Sequence, residues 1–553
     1  MASMRGISSE EIGRSERGTS LVLGTAALVF IIPLIGLFID VGILYASKAR
    51  LQAAVDGAAL AAARALTLGQ TTAAQASTAQ QNAVNWFYAN FPPGNWGTYN
   101  TVMDTTTVTV ADDANNPNLR DVTVTATTRV PTWLMKFFNV QYTNLTATGQ
   151  ASRRDVVAML VLDRSGSMCS INGATPSPPC GSGDGTPCDA MISAAKIFTG
   201  SFAAGRDRIG LMTFSDGTYL ESTPSTSFQT TLGYTNGAGS GSGLLDNVEC
   251  NGGTGTAQAV SLAYNELYKL GLPGALNFIM LETDGLPNTV TYNFWDGSHA
   301  AIASGSSCQD QNGKTKSGGG WTTAASMRQW VTGYSMNTGG TGYMSNIPSG
   351  SIGAFYTSDP SQSAFNRVMF HPWQSGDSSD TNSIRTSNAN GCTFSSGYSN
   401  DTSDLSWLPS SDIYGNQVSP TSAYKSLTLS SGHVPLTHTI STDWSKTHAA
   451  ALNATDNAAY RARTNATLAA YVFAIGLGGN NGDPPDPILL QRMANDPNGD
   501  LYNSPPAYDS CASESGCVTY SSQPQGTFIY SPTASVLGQA FLKISSQVLR
   551  LSH

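Results

Sequence analysis

Between Leu21 and Ile39 the sequence LVLGTAALVFIIPLIGLFI carries no charged side chain. As an α-helix rising about 1.5 Å per residue, this run reaches roughly 28 Å, close to the hydrocarbon thickness of a bilayer. It predicts one membrane-spanning helix. A cleaved leader is the rival reading, but the following DVGILYASKARLQAAVDGAALAAARAL continues as helix and offers no clean cleavage loop. Pro33 lies inside the run and needs no functional explanation, because neighbouring carbonyls in a membrane tolerate it. Arg5, Arg14 and Arg17 on one side face Lys48 and Arg50 on the other, so flanking charge decides orientation poorly. The cysteines decide it better. All eight lie downstream of the apolar run, an even number that suits an oxidising compartment outside the cytoplasm.

A chain of 553 residues exceeds one ordinary core, so two or more folded units are expected. Charged residues make up 12% of it, the net charge is -9, and no basic stripe occurs, which argues against a nucleic-acid footprint. After the span, Ala53, Ala54, Ala58, Ala59, Ala61, Ala62 and Ala63 give a small-residue helix that can pack closely on another helix or simply reflect high helix propensity. From Thr105 the pattern changes. TTTVTVADD, then NNPN, then RDVTVTATTRV alternates β-branched and polar residues around a turn signal, which reads as a hairpin. VPTWLMKFFNVQYTNLTATGQA extends this small β unit to about Ala151. One long helix followed by a modest sheet has the shape of a pilin-like subunit.

From Asp155 onward buried strands alternate with helices. VVAMLVL at 156–162 is continuously apolar, as strands of a parallel sheet covered on both faces are. Ile209 to Phe214, Phe278 to Leu281 and Tyr471 to Ile475 supply further strands. In AQAVSLAYNELYKL, Val260, Ala263, Leu267 and Leu270 recur at threes and fours and mark one buried helical stripe. Near the C-terminus Ser531-Pro532 reads as N-cap and N1 of a helix whose Leu537, Ala540, Phe541, Ile544 and Val548 face inward. The alternation predicts a doubly wound α/β domain with its ligand site at the carboxyl ends of the strands.

At that edge VVAMLVL runs directly into Asp163-Arg164-Ser165-Gly166-Ser167-Met168. This D-x-S-x-S places one carboxylate and two hydroxyls on a tight turn, presenting hard oxygen atoms to a hard cation. A second loop, Gly252-Gly253-Thr254-Gly255-Thr256, opens a helix and offers another hydroxyl, and the strand FIMLET ends in Asp284-Gly285. One such loop is a weak signal; three at successive strand ends are specific. The structural alternative is that Asp163 caps its turn and Thr254 its helix, but capping does not require the S-x-S hydroxyls as well.

Two resemblances follow from these residues. RGTSLVLGTAALVFIIPLIGLFIDVGILYASKARLQAAVDGAALAAA resembles the TadE/TadG-like family of tight-adherence (Flp) pilus-assembly proteins, through Arg17-Gly18, Asp40-Val41-Gly42 and the run from Leu51 to Leu60. That likeness implies an inner-membrane anchor with the body in the periplasm or exported further. A prepilin-type cleavage site is not matched by Gly13-Arg14-Ser15-Glu16. The three loops resemble the metal-ion-dependent adhesion site of von Willebrand factor A domains, a likeness spanning about 155–285 and 455–553. It implies direct ligation by Ser165 and Ser167, a direct or water-mediated bond from Thr254, and Asp163 and Asp284 acting largely through waters, with Thr256 the lesser candidate. Mg²⁺ fits this donor set best, with Mn²⁺ or Ca²⁺ as substitutes. The metal would keep a corner for a carboxylate from a protein or surface ligand, and other pilus-assembly components are the expected neighbours.

The resulting division is a cytoplasmic segment at 1–18, a transmembrane helix at 19–40, a TadE/TadG-like helix with a small β unit at 41–152, and an A-type domain at 153–553. Insertions interrupt that domain at 169–188 and about 286–447. Cys169, Cys180 and Cys188 are an odd number in one short loop, so at least one pairs elsewhere or stays free. Cys250, four residues before Thr254, is the outside candidate and would staple two metal loops together, but sequence does not say which cysteine it takes. Cys511 with Cys517, and Cys308 with Cys392, complete the count. The longer insertion holds Trp295, Trp321, Trp330, Trp373 and Trp407 and reads as a small folded cap over the site. The six histidines form no H-E-x-x-H pair, and no G-x-S-x-G elbow or C-x-x-C site occurs, so a binding protein is expected rather than an enzyme. The other expectation is a structural pilus-assembly scaffold acting through the pilin-like part, with the metal site only stabilising.

Overall fold

The computed structural model describes residues 9–170, 179–215, 218–234, 242–250, 254–287, 412, 414–416, 446–478, 484–499 and 523–552, with seven strands of two or three residues between 292 and 394. The chain divides into two compact units, Met1–Arg153 and Arg154–Ser552.

In the first unit one unbroken helix, α1 (Ser9–Ala65), contains the apolar run in its front half. Its back half buries Leu51, Ala54, Val55, Ala58, Ala59, Ala62 and Ala63. Their partner is a second helix, α2 (Thr72–Asn90), which the sequence reading omitted. Only a narrow stripe of α2 turns inward, Gln75, Ala79, Ala83 and Phe87, spaced at fours among polar residues. Thr71 caps it by accepting the Ala74 N–H. A four-stranded sheet completes the unit: β1 (Tyr99–Val102), β2 (Val108–Asp112), β3 (Leu119–Pro131) and β4 (Tyr142–Arg154), with β3 pairing with each of the others. The expected hairpin is β2–β3, antiparallel, with Val108 opposite Val124. Along β3 the buried residues alternate, Val122, Val124, Ala126, Thr128 and Val130, as a sheet with one covered face requires.

The second unit is built on a six-stranded sheet. Its strands are β5 (Val156–Asp163), β7 (Arg208–Phe214), β8 (Thr218–Ser225), β10 (Leu276–Thr283), β18 (Tyr471–Leu477) and β19 (Phe528–Ser531), in the order β19-β18-β10-β5-β7-β8. Two-residue strands β6 (Cys180–Gly181) and β9 (Glu249–Cys250) pair separately, and β11 to β17 are the short strands between 292 and 394. Every neighbouring pair in the main sheet is parallel except β7–β8. The antiparallel edge strand β8 and the late strand β19 were not anticipated from sequence.

Alternate residues of β5 feed two cores. Val156, Ala158, Leu160 and Leu162 pack with helices α3 (Pro187–Thr199), α4 (Phe228–Leu232) and α8 (Leu537–Leu551), while Val157, Met159 and Val161 pack with α5 (Thr256–Leu270), α6 (Lys446–Thr464) and α7 (Pro487–Ala494). On the first face Phe278 meets Phe198, Phe202 and Phe473 with ring centroids 5.6–6.3 Å apart. Full burial of each such side chain stabilises by about 1.5–3 kcal/mol. The inward set Leu537, Ala540, Phe541, Ile544 and Val548 of α8 is as expected. Its start is not: Ser531 ends β19 and the helix begins six residues later, because strand pairing of Ser531 with Leu477 takes the backbone that the cap would have used.

Cys308, Cys392, Cys511 and Cys517, the five tryptophans of the long insertion and the cap they suggest lie outside the described residues. Asp412, Tyr414, Gly415 and Asn416 of that insertion are described, and Tyr414 Oη accepts a 3.0 Å bond from Gln258 on α5.

Candidate metal centre

Numbered within the sheet, the strand order is 3-2-1-4-5-6, and the order reverses between its first and fourth strands, β5 and β10. In open α/β sheets the gap beyond the carboxyl ends of such a pair is where ligands bind, because the connecting loops diverge there. Asp163 is the last residue of β5, and Asp284 directly follows β10. Both are fully buried.

Oxygen atoms from the two loops converge at this point. Ser165 Oγ lies 2.9 Å from Ser167 Oγ, and Asp284 Oδ1 accepts from both hydroxyls, at 3.2 Å and 2.8 Å respectively. Asp163 turns one oxygen to the Ser165 N–H at 2.8 Å and the other to the Thr283 hydroxyl at 2.5 Å. The turn after Asp163 is pinned from below by Met168 and Cys169, both wholly buried, while Ser167 stays exposed at the mouth. Arg164, inside the motif, points elsewhere. Its guanidinium lies 4.4 Å over the Tyr219 ring and donates to Glu249 O at 3.1 Å, so it fixes the loop to β8 and β9.

Thr254 is 4% exposed and sits at the entrance to α5. Its loop does not leave a strand of the main sheet, contrary to the expectation of three successive strand ends; it follows the two-residue β9. It reaches the same edge by another route. The Gly255 N–H donates to Ser215 O at 2.7 Å, and the Arg164 N–H donates to Phe214 O at 2.8 Å, so consecutive carbonyls at the end of β7 hold both loops. Gly252 and Gly253 lie outside the described residues. Thr256 Oγ1 is buried without a hydrogen-bond partner among the described residues.

Two disulfides brace the loops. Cys169 bonds Cys180, and Cys188 bonds Cys250, with Cα separations of 5.6 Å and 6.3 Å. Cys250 therefore takes Cys188, at the first turn of α3, and Cys180 sits directly opposite Cys250 in the β6–β9 pair. The Asp163 loop is thus stapled to the Thr254 loop through two bonds in series, not one. The close sulfur cluster of Cys180, Cys188 and Cys250 is accounted for by these bridges.

Electrostatics single out a residue that sequence reading passed over. Glu282, one residue before the end of β10, is fully buried, and among the described residues neither carboxyl oxygen has a hydrogen-bond partner of ordinary geometry. Desolvation, then the charges of Asp163 and Asp284, push its pKa well above the usual carboxylate value. Desolvation also raises Asp284, reinforced by Asp163, and raises Asp163 against the bonds from Thr283 and Ser165. The available signal was a charged residue in an otherwise apolar buried strand, FIMLET.

The donor set suits a hard divalent cation. In an octahedral Mg²⁺ shell with bonds of about 2.0–2.1 Å, adjacent oxygens stand about 2.9 Å apart. The Ser165, Ser167 and Asp284 oxygens already form a triangle with sides of 2.8–3.2 Å. Three buried carboxyls, Asp163, Glu282 and Asp284, crowd this point, and an ion there would offset their mutual repulsion.

Residues 18–65 match the family model described as Flp pilus-assembly TadE/G-like, and residues 158–286 match the von Willebrand factor type A domain. No curated protein matches the chain. Among solved structures, the chain is similar to the PilB minor pilin from Streptococcus sanguinis at 12% identity, covering 82% of this chain and 79% of that one, with a TM-score of 0.32. It is similar to the pilus adhesin SpaC from Lactobacillus rhamnosus GG at 13% identity, covering 82% and 35%, with a TM-score of 0.32. The vWF domain of the type V pili tip protein Mfa5 from Porphyromonas gingivalis is 13% identical, with 73% and 98% covered and a TM-score of 0.30. By its family matches, with the sheet order to accompany them, this chain joins a TadE/G-like N-terminal segment to a von Willebrand factor type A domain.

Proposed function

We propose that the chain is a membrane-anchored protein of pilus assembly or adhesion that captures an acidic group on a protein or surface ligand through a metal-ion-dependent site. The observation that carries this reading is the convergence of Ser165 Oγ, Ser167 Oγ and Asp284 Oδ1 within 3.2 Å at the sheet's switch point. Ser165, Ser167 and Thr254 present neutral oxygens, and Asp163 and Asp284 sit behind them. When bound, Mg²⁺ supplies an electrophilic corner that an incoming carboxylate completes. Exposed Ser167 marks the open side from which that carboxylate arrives. Asp163 orients the loop through the Ser165 N–H and is itself oriented by Thr283.

The anchor reading is supported by α1. Its apolar window is only 6% buried, and Phe30 is 73% exposed. The same helix continues without a break into the alanines that form the core of the first unit. Such continuity favours a permanent anchor over a removable leader. The two disulfides suit an oxidising location and so support a periplasmic or further exported second unit. Flp pilus assembly is the setting suggested by the TadE/G-like segment, and other assembly components are the proposed partners.

Asp163→Ala tests the reading in cells. It is expected to abolish surface adhesion or piliation while the protein still accumulates in the envelope; adhesion and piliation both at the wild-type level would refute it.

A further inference from the structure

The first unit carries a second apolar surface, separate from α1. Asp40, at the end of the charge-free run, is 1% exposed and accepts three consecutive backbone N–H groups, from Trp133 at 2.8 Å, Leu134 at 3.0 Å and Met135 at 2.7 Å. The loop between β3 and β4 is therefore folded around one carboxylate of the membrane helix. Leu134 lies against Gly36, one helical turn further into the run. A Cβ on Gly36 would stand 2.2 Å from Leu134 Cδ1, so the contact requires glycine. One turn is about 5.4 Å along the axis. The loop is closed on itself by the Thr132 N–H to Gln141 O at 3.1 Å, and by Asn139 in the left-handed region at φ 68°.

What this rigid loop presents is aromatic. Trp133, Phe137 and Phe138 are 63%, 77% and 68% exposed, and none belongs to the unit's core. Lys136 lies beside them, its ammonium 5.9 Å from the Phe137 ring centroid. Soluble surfaces seldom leave three large aromatic side chains together in water, whereas membrane–water interfaces favour aromatics with a lysine reaching to the headgroups. Interfacial segments bury their apolar face about 5–10 Å into the headgroup and acyl boundary, and Gly36 lies one helical turn, about 5.4 Å, inside the apolar run from Asp40.

We propose that the loop 132–140 is a second membrane contact: it inserts Trp133, Phe137 and Phe138 into the bilayer interface beside the point where α1 leaves it. The occupant of this surface is lipid, because the loop is clamped to the part of α1 that lipid already surrounds. This inference rests on the anchor reading of α1 given above. With two contacts joined through Asp40 and Gly36, the first unit is fixed in height and rotation on the membrane instead of pivoting about a single helix.

The test is photocrosslinking in the full chain, reconstituted in phosphatidylethanolamine–phosphatidylglycerol vesicles, with a benzophenone amino acid replacing Phe137, Phe30 or Leu68 in turn. Leu68, 56% exposed beyond the far end of α1, is the solvent control. Lipid adducts at position 137 are expected at a yield comparable to position 30 and about tenfold above position 68, as for a side chain seated in the acyl boundary. A yield at 137 no higher than at 68, with strong labelling at 30, overturns this proposal and leaves the anchor standing. Absence of adducts at 30 overturns the anchor reading and this inference with it.

Discussion

Asp284→Asn separates a metal centre from a mere hydrogen-bonded turn, because the two readings assign its carboxylate opposite effects. Without an ion, Asp163, Glu282 and Asp284 crowd one buried site, and desolvation with mutual repulsion raises all three. For Asp163 the rise is from 3.8 to about 6. At about 1.4 kcal/mol per pKa unit, that single group costs the ion-free fold about 3 kcal/mol at neutral pH. An asparagine keeps an oxygen to accept from Ser165 and Ser167 and removes one ionisable member of the cluster. In chelator the variant is therefore expected to be more stable than the wild type by about 1–3 kcal/mol, a rise of about 2–10 °C in melting temperature for a domain of this class. In Mg²⁺ the relation changes. An ion at a hundred times its Kd contributes about 2.7 kcal/mol, or about 5–10 °C, to the wild type, and this increment should fall sharply in the variant, which lacks the carboxylate charge behind the ion. The assay is scanning calorimetry of the full chain in detergent, with chelator and then with excess Mg²⁺. A wild type whose melting is indifferent to Mg²⁺, Mn²⁺ and Ca²⁺, or a variant that melts lower in chelator and keeps the full Mg²⁺ increment, refutes the reasoning.

Proton linkage gives a second check: folded carboxyls with raised pKa bind more protons than unfolded ones, so stability in chelator is lost as pH climbs from 3.8 through about 6. Mg²⁺ displaces those protons, so the melting difference between Mg²⁺ and chelator should widen across that window, and a pH-independent difference would contradict it. The Cys188–Cys250 bridge closes a separation of 62 residues and Cys169–Cys180 one of 11. On chain-entropy grounds replacing the first pair by alanine costs about 4 kcal/mol and the second about 3 kcal/mol, and denaturant midpoints in the reverse order would argue against that account. Arg492→Met removes the guanidinium bonded at 2.8 Å to buried Asp456, which should cost about 3 kcal/mol by urea unfolding, the low end for a buried pair because the Arg463 charge still acts on Asp456, whereas replacing Arg492 and Asp456 together with apolar residues should recover much of it.

The parts of the site that sequence revealed are the parts that are local. Asp163, Ser165 and Ser167 lie within five residues at the end of an apolar strand, so both donor type and position were legible together. The stripes of α5 and α8 and the alternation of β3 were legible because each element has its own period. Glu282 was visible as a charge in an apolar strand, but its meaning depends on which carboxylates stand beside it. Helix α2 escaped because its buried stripe is mostly alanine and glutamine, too weak a contrast to show a period. Only tertiary structure decided that β5 lies beside β10, that Thr283 reaches Asp163 across 120 positions of chain, and that Cys250 takes Cys188 rather than either alternative. Local sequence fixes which dihedral wells and which faces an element prefers. Which distant elements meet depends on how the whole core fills and on the loop entropy offset when they do, and no short stretch of residues carries that information.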